Sequence, residues 1–240
     1  MLNSKKRSQQ LNDTLKNMIA RKKPGDRLPP EPELARQLGV SRATLREAMR
    51  TFETQGTITR RQGSGTYISY PLQAFSGSLE ILESIETAAN KNNLKVSMDD
   101  LAIITRNAKD DETKAFGVML PFRVIEVKRT ILVEGCPVAH LVDVLPENVL
   151  SKEDLEYGFT GSILDVLIRL SPQRLAYAKA EINAATASRE LARAMGIQRG
   201  DAMLRLYSTL YTVKGQMINI SISHFLPGYF RFHVIRRVNI

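Results

Sequence analysis

The 240-residue chain is long enough for two domains of ordinary size, and with 43% hydrophobic residues it can bury a real core. No apolar run approaches the roughly 20 residues that a bilayer-spanning helix needs, which argues against a membrane span. The net charge of +9 sits at one end: residues 1–70 hold 14 Lys and Arg against 6 Asp and Glu, whereas residues 71–240 hold 20 against 19. A small basic module ahead of a nearly neutral body points to a polyanion partner for the first and a separate task for the second.

In chain order, Leu11, Leu15, Met18 and Ile19 recur on one face of an amphipathic helix. The same opening stretch has no continuous apolar segment of the secretory kind, and a lone Cys136 cannot form an intrachain disulfide, so a reducing cytoplasm is expected. KKPGDRLPP stops the first helix, because Pro24-Gly25 marks a turn and Pro29-Pro30 cannot continue a helix. A second helix is predicted from near Pro32, with Leu34, Ala35 and Leu38 facing inward and Gly39 ending it. Ser41 is a good N-cap for a third, whose buried stripe is Leu45, Ala48, Met49 and Phe52 and which Gly56 closes.

On that third helix Arg42, Arg46 and Arg50 fall four residues apart on one face, where like charges repel by a few tenths of a kcal/mol per pair. Two short helices joined through LGVS have the form of a helix-turn-helix, whose second helix enters the DNA major groove. A bidentate arginine–guanine pair is worth about 1–3 kcal/mol of discrimination, well above that repulsion. TITRRQGSGTYIS, residues 57–69, then reads as a hairpin with Arg60 and Arg61 at its mouth and Gly63 and Gly65 allowing close approach to a sugar-phosphate strand. A basic hairpin directly after a recognition helix is a wing.

RLPPEPELARQLGVSRATLREAMRTFETQGTITRRQGSGTYIS resembles the DNA-binding domain of the GntR family of bacterial transcription regulators. The resemblance implies operator contacts from Ser41, Arg42, Ala43 and Arg46 on the recognition helix and from Gln62 and Gly63 on the wing, to which the charge pattern adds Arg50, Arg60 and Arg61. Pro32 stands where the family often carries a contacting arginine, so that contact is absent and operator preference is expected to differ.

YPLQAFSGS, residues 70–78, reads as linker. Beyond it, β-branched runs at 100–107, 122–134, 137–145, 173–185, 202–213 and 217–226 alternate with helical stretches at about 79–92, 161–170 and 186–195. Two hairpins are predicted, over EGC and over KGQ. Hairpin-connected strands mixed with helices argue for an α+β domain on an antiparallel sheet. The expected organisation is a winged helix-turn-helix over 1–70, a linker over 71–82 and a second domain over 83–240.

VIEVKRTILVEGCPVAHLVDVLP, GSILDVL and AMGIQRGDAMLRLYSTLYTVKGQMINISISHFLPGYFRF resemble the UTRA effector-binding domain of the HutC subfamily. That resemblance implies a chorismate-lyase-like fold, a homodimer and a small anionic or polar metabolite as effector. It maps the effector site to Arg129, Ser162 and Tyr229, with Ile131 and Leu141 at positions where sugar-phosphate-binding members carry Arg and Glu. The ligand is therefore expected to be less hydroxylated than an amino-sugar phosphate, unless the domain serves dimerisation only. His140, His224 and His233 are not spaced as metal ligands, and no cofactor motif or catalytic constellation stands out. The reading is a cytoplasmic transcription regulator, a repressor rather than an enzyme, whose partners are near-palindromic double-stranded DNA and a small effector.

Overall fold

The computed structural model describes residues 2–23, 25–54, 56–61, 64–68, 75–156, 158–170 and 175–235. The chain divides into two units, one of Met1–Ser76 with Leu226–Arg231 and one of Gly77–Phe225 with Phe232–Ile240. Leu226–Arg231, which the sequence places in the second domain, thus groups with the first unit.

Three helices and a hairpin make the first unit: α1 (Leu2–Ala20), α2 (Glu31–Gln37), α3 (Arg42–Thr54), β1 (Ile58–Arg61) and β2 (Gly65–Ile68). Pro30 precedes α2 with extended backbone, and Glu31 and Glu33 lie in its first turn, where the helix dipole favours acids. Ser41 caps α3, its Oγ accepting the Thr44 N–H at 3.1 Å. Leu11 and Leu15 of α1, Leu34 and Ala35 of α2, and Leu45, Ala48, Met49 and Phe52 of α3 close into one core with Ile58 and Ile68. The hairpin pairs Ile58 with Ile68 and Arg61 with Gly65, so the wing is tied to the helices through its own apolar pair.

The second unit is built on six antiparallel strands in the order β4-β5-β6-β9-β8-β7. In chain order its elements are α4 (Ile85–Lys91), β4 (Val96–Asn107), α5 (Asp110–Phe116), β5 (Arg123–Val133), β6 (Cys136–Pro146), α6 (Ile163–Leu170), β7 (Leu175–Thr186), α7 (Arg189–Met195), β8 (Ala202–Thr212) and β9 (Met217–Phe225). The expected EGC and KGQ hairpins are the β5–β6 and β8–β9 pairs. Phe75–Ser78 (β3) and Phe230–His233 (β10) form a separate two-stranded sheet.

Register sorts side chains onto the two faces of the large sheet. Arg129 lies opposite Leu141 and Asp143 opposite Ser221, while Asn219 shares the Ser221 face two residues away. On this face α6 contributes Ile163, Val166 and Leu167 to a core with Ile125, Val127, Leu145 and Leu210. The alternate face carries Glu126, Lys128, Thr130, His140 and His224, and Glu190 of α7 reaches Lys128 at 3.8 Å.

Several boundaries differ from expectation for local reasons. The helix expected at 79–92 spans only Ile85–Lys91, because Ser84 takes the N-cap position and accepts the Thr87 N–H at 3.0 Å. The helix expected at 186–195 starts at Arg189, where Ser188 caps it. Phe75–Ser78 is strand where linker was expected. α5 was not expected at all. It is held by Glu112, which accepts the Lys109 N–H at 2.8 Å and pairs with Arg106 at 2.6 Å.

Candidate nucleic-acid interface and effector site

In the first unit α3 separates two chemistries. Leu45, Ala48, Met49 and Phe52 are buried, whereas Ser41, Arg42, Ala43 and Arg46 are exposed from its N-terminal turns and Arg50 is half-buried. Arg46 donates from Nε to Glu31 Oε2 at 2.7 Å while its side chain stays 54% exposed. The other Glu31 oxygen lies 3.1 Å from Arg60 Nη2, and Arg60 Nε lies 3.2 Å from Glu53. Glu31 therefore ties the recognition helix to the first strand of the wing.

This bridge escapes a sequence reading because its partners are 15 residues apart and belong to different elements. It also distinguishes the arginines. Arg42 and Arg46 project outward, whereas Arg60 is held between two carboxylates. Arg61 belongs to β1 by its backbone pairing with Gly65. Gln62 and Gly63 lie outside the described residues.

Arg129 and Ser162, the effector residues inferred from sequence, meet in the second unit. Arg129 is 2% exposed and donates from Nε to the Gly161 carbonyl at 2.6 Å. Its Nη1 donates to the Val127 carbonyl at 3.4 Å and pairs with Asp143 Oδ2. The second Asp143 oxygen accepts Asn219 Nδ2 at 2.8 Å. The guanidinium is thus paired with a carboxylate of its own unit.

Ser162 is buried next to this pair, its Oγ accepting the Asp165 N–H at 3.0 Å at the start of α6. The Asp165 carboxylate in turn accepts the Ser84 hydroxyl at 2.7 Å, which joins the N-termini of α4 and α6. Between them Gly161 has φ +120°, and a Cβ there would stand 2.7 Å from Glu86 Oε1 and 2.8 Å from Ile131 Cδ1. Only glycine lets these groups converge. Burial pushes the Glu86 carboxyl above the usual carboxylate range, against the pull of its own backbone N–H and of Arg129, and the charges on Asp165 and Asp143 add to the rise. Ile131 and Leu141 are both buried, so the apolar replacements noted in the sequence belong to the wall of this cluster.

Tyr229 is also buried, but in the first unit. Its ring carbon Cε2 lies 3.0 Å from where a Cβ on Gly56 would stand. On the opposite sheet face His140 and His224 are directly across from each other in register, and burial lowers the pKa of both. Thr130 Oγ1 and His140 Nδ1 are 3.1 Å apart. Among the described residues no group of three His, Cys, Asp or Glu could hold a metal ion, and no helix is long and apolar enough to cross a membrane.

Comparison with known proteins matches residues 7–68 to the gntR family of bacterial regulatory proteins and residues 91–231 to the UTRA domain. The HTH-type transcriptional regulator Rv0792c of Mycobacterium tuberculosis is 30% identical over 95% of this chain and 84% of its own. The HTH-type transcriptional repressor NagR of Bacillus subtilis is 28% identical over 78% of this chain and 76% of its own. The crystal structure of PhnF from Mycobacterium smegmatis shares the fold, with a TM-score of 0.65 at 21% identity over 95% of this chain and all of that one. With a winged helix-turn-helix ahead of a six-stranded UTRA sheet, the chain belongs to the GntR family of bacterial transcription regulators, in its HutC subfamily.

Proposed function

We propose that the protein is a cytoplasmic, homodimeric repressor that binds a near-palindromic operator and releases it according to a small effector held in the UTRA domain. The observation that carries the DNA-reading half is the exposure of Ser41, Arg42, Ala43 and Arg46 on the first turns of α3, over a helix face that is fully buried. In helix-turn-helix proteins those turns meet the base edges, and dimers read half-sites about one helical turn, roughly 34 Å, apart. Gln62 and Gly63 of the wing complete the proposed contact set. Arg50, Arg60 and Arg61 lend it positive charge, with Arg60 also positioning Glu31. The repressor named NagR among its relatives supports the sign of regulation.

Dimerisation belongs to the same proposal. β7 is a sheet edge: only β8 pairs with it among the described residues, and it leaves Tyr177 57% and Ile182 46% exposed. The other edge, β4, is interrupted by a register shift between Asp99 and Ala102, the kind of irregularity that blunts an edge. A second β7 laid antiparallel about Ala180 would set Lys179 against Glu181 of the partner subunit, and Glu181 against Lys179 of the partner subunit.

In the effector half, Arg129 and Ser162 act as positioning residues: Arg129 holds Asp143 and Gly161 in place, and Ser162 starts α6. Glu86 Oε1 and Asn219 Oδ1, buried nearby without a hydrogen-bond partner among the described residues, favour ligand binding over a domain that only dimerises.

The test is a titration of DNA fragments carrying either an operator selected by the native protein from a random-sequence pool or random sequence. Arg46→Ala is expected to bind both alike, with unfolding shifted by no more than the ~1 kcal/mol that an exposed ion pair such as Arg46–Glu31 contributes. A variant that still discriminates would place sequence reading elsewhere.

A further inference from the structure

We propose that the C-terminal unit takes a small organic cation, an amine carrying further hydrogen-bond donors, at the cluster of Glu86, Asp143 and Asn219 around Arg129. The inference rests on the reading of this unit as an effector domain and specifies the chemistry of its ligand.

Two observations meet here. The first is charge. Asp143 pairs with the Arg129 guanidinium, whose Nε bonds the Gly161 carbonyl, and Glu86 beside Gly161 feels the charges of Arg129, Asp165 and Asp143. Asp143 and Asp165 alone outnumber that one cation, and a positive ligand beside Glu86 would hold its carboxyl ionised, so the site attracts a positive ligand and repels an anion.

The second observation is independent of charge. Glu86 and Asn219 are each 7% exposed, and Glu86 Oε1 and Asn219 Oδ1 are buried without a hydrogen-bond partner among the described residues. The orientation of Asn219 is fixed by chemistry: Asp143 Oδ1 can only accept, so the amide nitrogen faces it and the amide oxygen is the free end. Asn219 Oδ1 is therefore an acceptor, and Glu86 Oε1 is one whenever its carboxyl is ionised, as a cation beside it favours. Buried acceptors are nearly always satisfied in folded proteins, and a missing donor is what a ligand supplies.

An ammonium group brings three donors and no acceptor, which suits this pattern as a phosphate does not. The same sheet face continues from Asp143 and Asn219 to the half-buried hydroxyls of Ser221, Ser223 and Ser208, with Ser221 and Ser223 oxygens 3.4 Å apart. These hydroxyls can donate or accept, and they give the remainder of a polar amine a hydrogen-bonding floor. Ile131 and Leu141 supply the apolar wall for its carbon frame.

The experiment is calorimetric titration of the full chain, without DNA, against putrescine, agmatine and ethanolamine, with N-acetylglucosamine 6-phosphate as the anionic probe. At least one amine is expected to saturate at one per chain. Glu86→Gln, which keeps shape and removes charge, is expected to weaken it at least tenfold, and Asn219→Leu, which removes the orphaned acceptor, to weaken it as well. Thermal unfolding of both variants checks that they fold. Saturation by the phosphosugar with no response to the amines overturns the cation assignment and leaves the effector reading standing. Amine binding that both folded variants retain in full overturns the site. No heat with any of the amines overturns the cation site and leaves the effector reading standing.

Discussion

Replacing Asp143 by alanine tests the architecture of the second unit at its most sensitive point. The substitution removes the counter-charge of Arg129, which is 2% exposed, and the acceptor of Asn219 Nδ2. Solvent cannot screen a charge so deeply buried, and removing one partner of a buried ion pair costs about 3–5 kcal/mol. For a domain of this size each kcal/mol lowers the transition by roughly 2–4 °C, so a fall of about 6–20 °C is expected. Scanning calorimetry resolves it best, since two units need not melt together and a single two-state fit would blur them. The double variant Arg129→Met/Asp143→Leu removes both charges and is expected to lie closer to the native protein than the single variant, because well-packed apolar replacements of buried pairs are often neutral. A single variant that loses under about 1 kcal/mol, or a double variant worse than the single, would refute a buried charge pair that depends on mutual compensation.

Three further outcomes follow from the same structure. His140 and His224 have folded-state pKa values lowered by burial, so the unfolded chain binds more protons below its own histidine pKa; stability is present above about pH 6.5 and lost as pH falls below it. Urea titrations between pH 5 and 7 are expected to show that decline, and the His140→Gln/His224→Gln variant to flatten it. The raised pKa of Glu86 has the opposite sign, its stabilisation being lost as pH rises through the carboxylate range, so Glu86→Gln is expected to melt higher than the native protein at pH 7 without ligand. In sedimentation, Lys179→Glu is expected to weaken the dimer and the added Glu181→Lys to restore it; an unchanged dimer in the single variant would place the interface away from β7.

The winged helix was legible in sequence because its signals are local. Ser41 caps the helix that its own side chain starts, and Leu45, Ala48, Met49 and Phe52 lie on one face by spacing alone. The sheet was legible as β-branched runs, with its hairpins, for the same reason. What escaped was non-local or lacked periodicity. α5 has an acidic first turn and no apolar stripe, and it stands on the bond from Lys109 to Glu112 and on Arg106 across from it. The partners of Asp143 are 14 and 76 residues away, so no window of sequence places Arg129, Asp143 and Asn219 together. Resemblance points to Arg129, but no local signal points to the carboxylate it pairs with. His140 and His224 looked scattered because only strand register makes them neighbours. Tyr229 was assigned by resemblance to the effector site, whereas its ring packs on Gly56 in the first unit.

The central claim, a dimer reading DNA through α3, is tested most directly by selecting binding sites for the full chain from a random-sequence DNA pool. The expected result is enrichment of two inverted half-sites with centres about one helical turn apart. Binding to the winner should weaken with salt by a logarithmic slope of about −0.9 per phosphate neutralised. Arg46→Ala run in parallel should enrich nothing. A pool that stays random with the native protein, or one that yields the same site with Arg46→Ala, would contradict it.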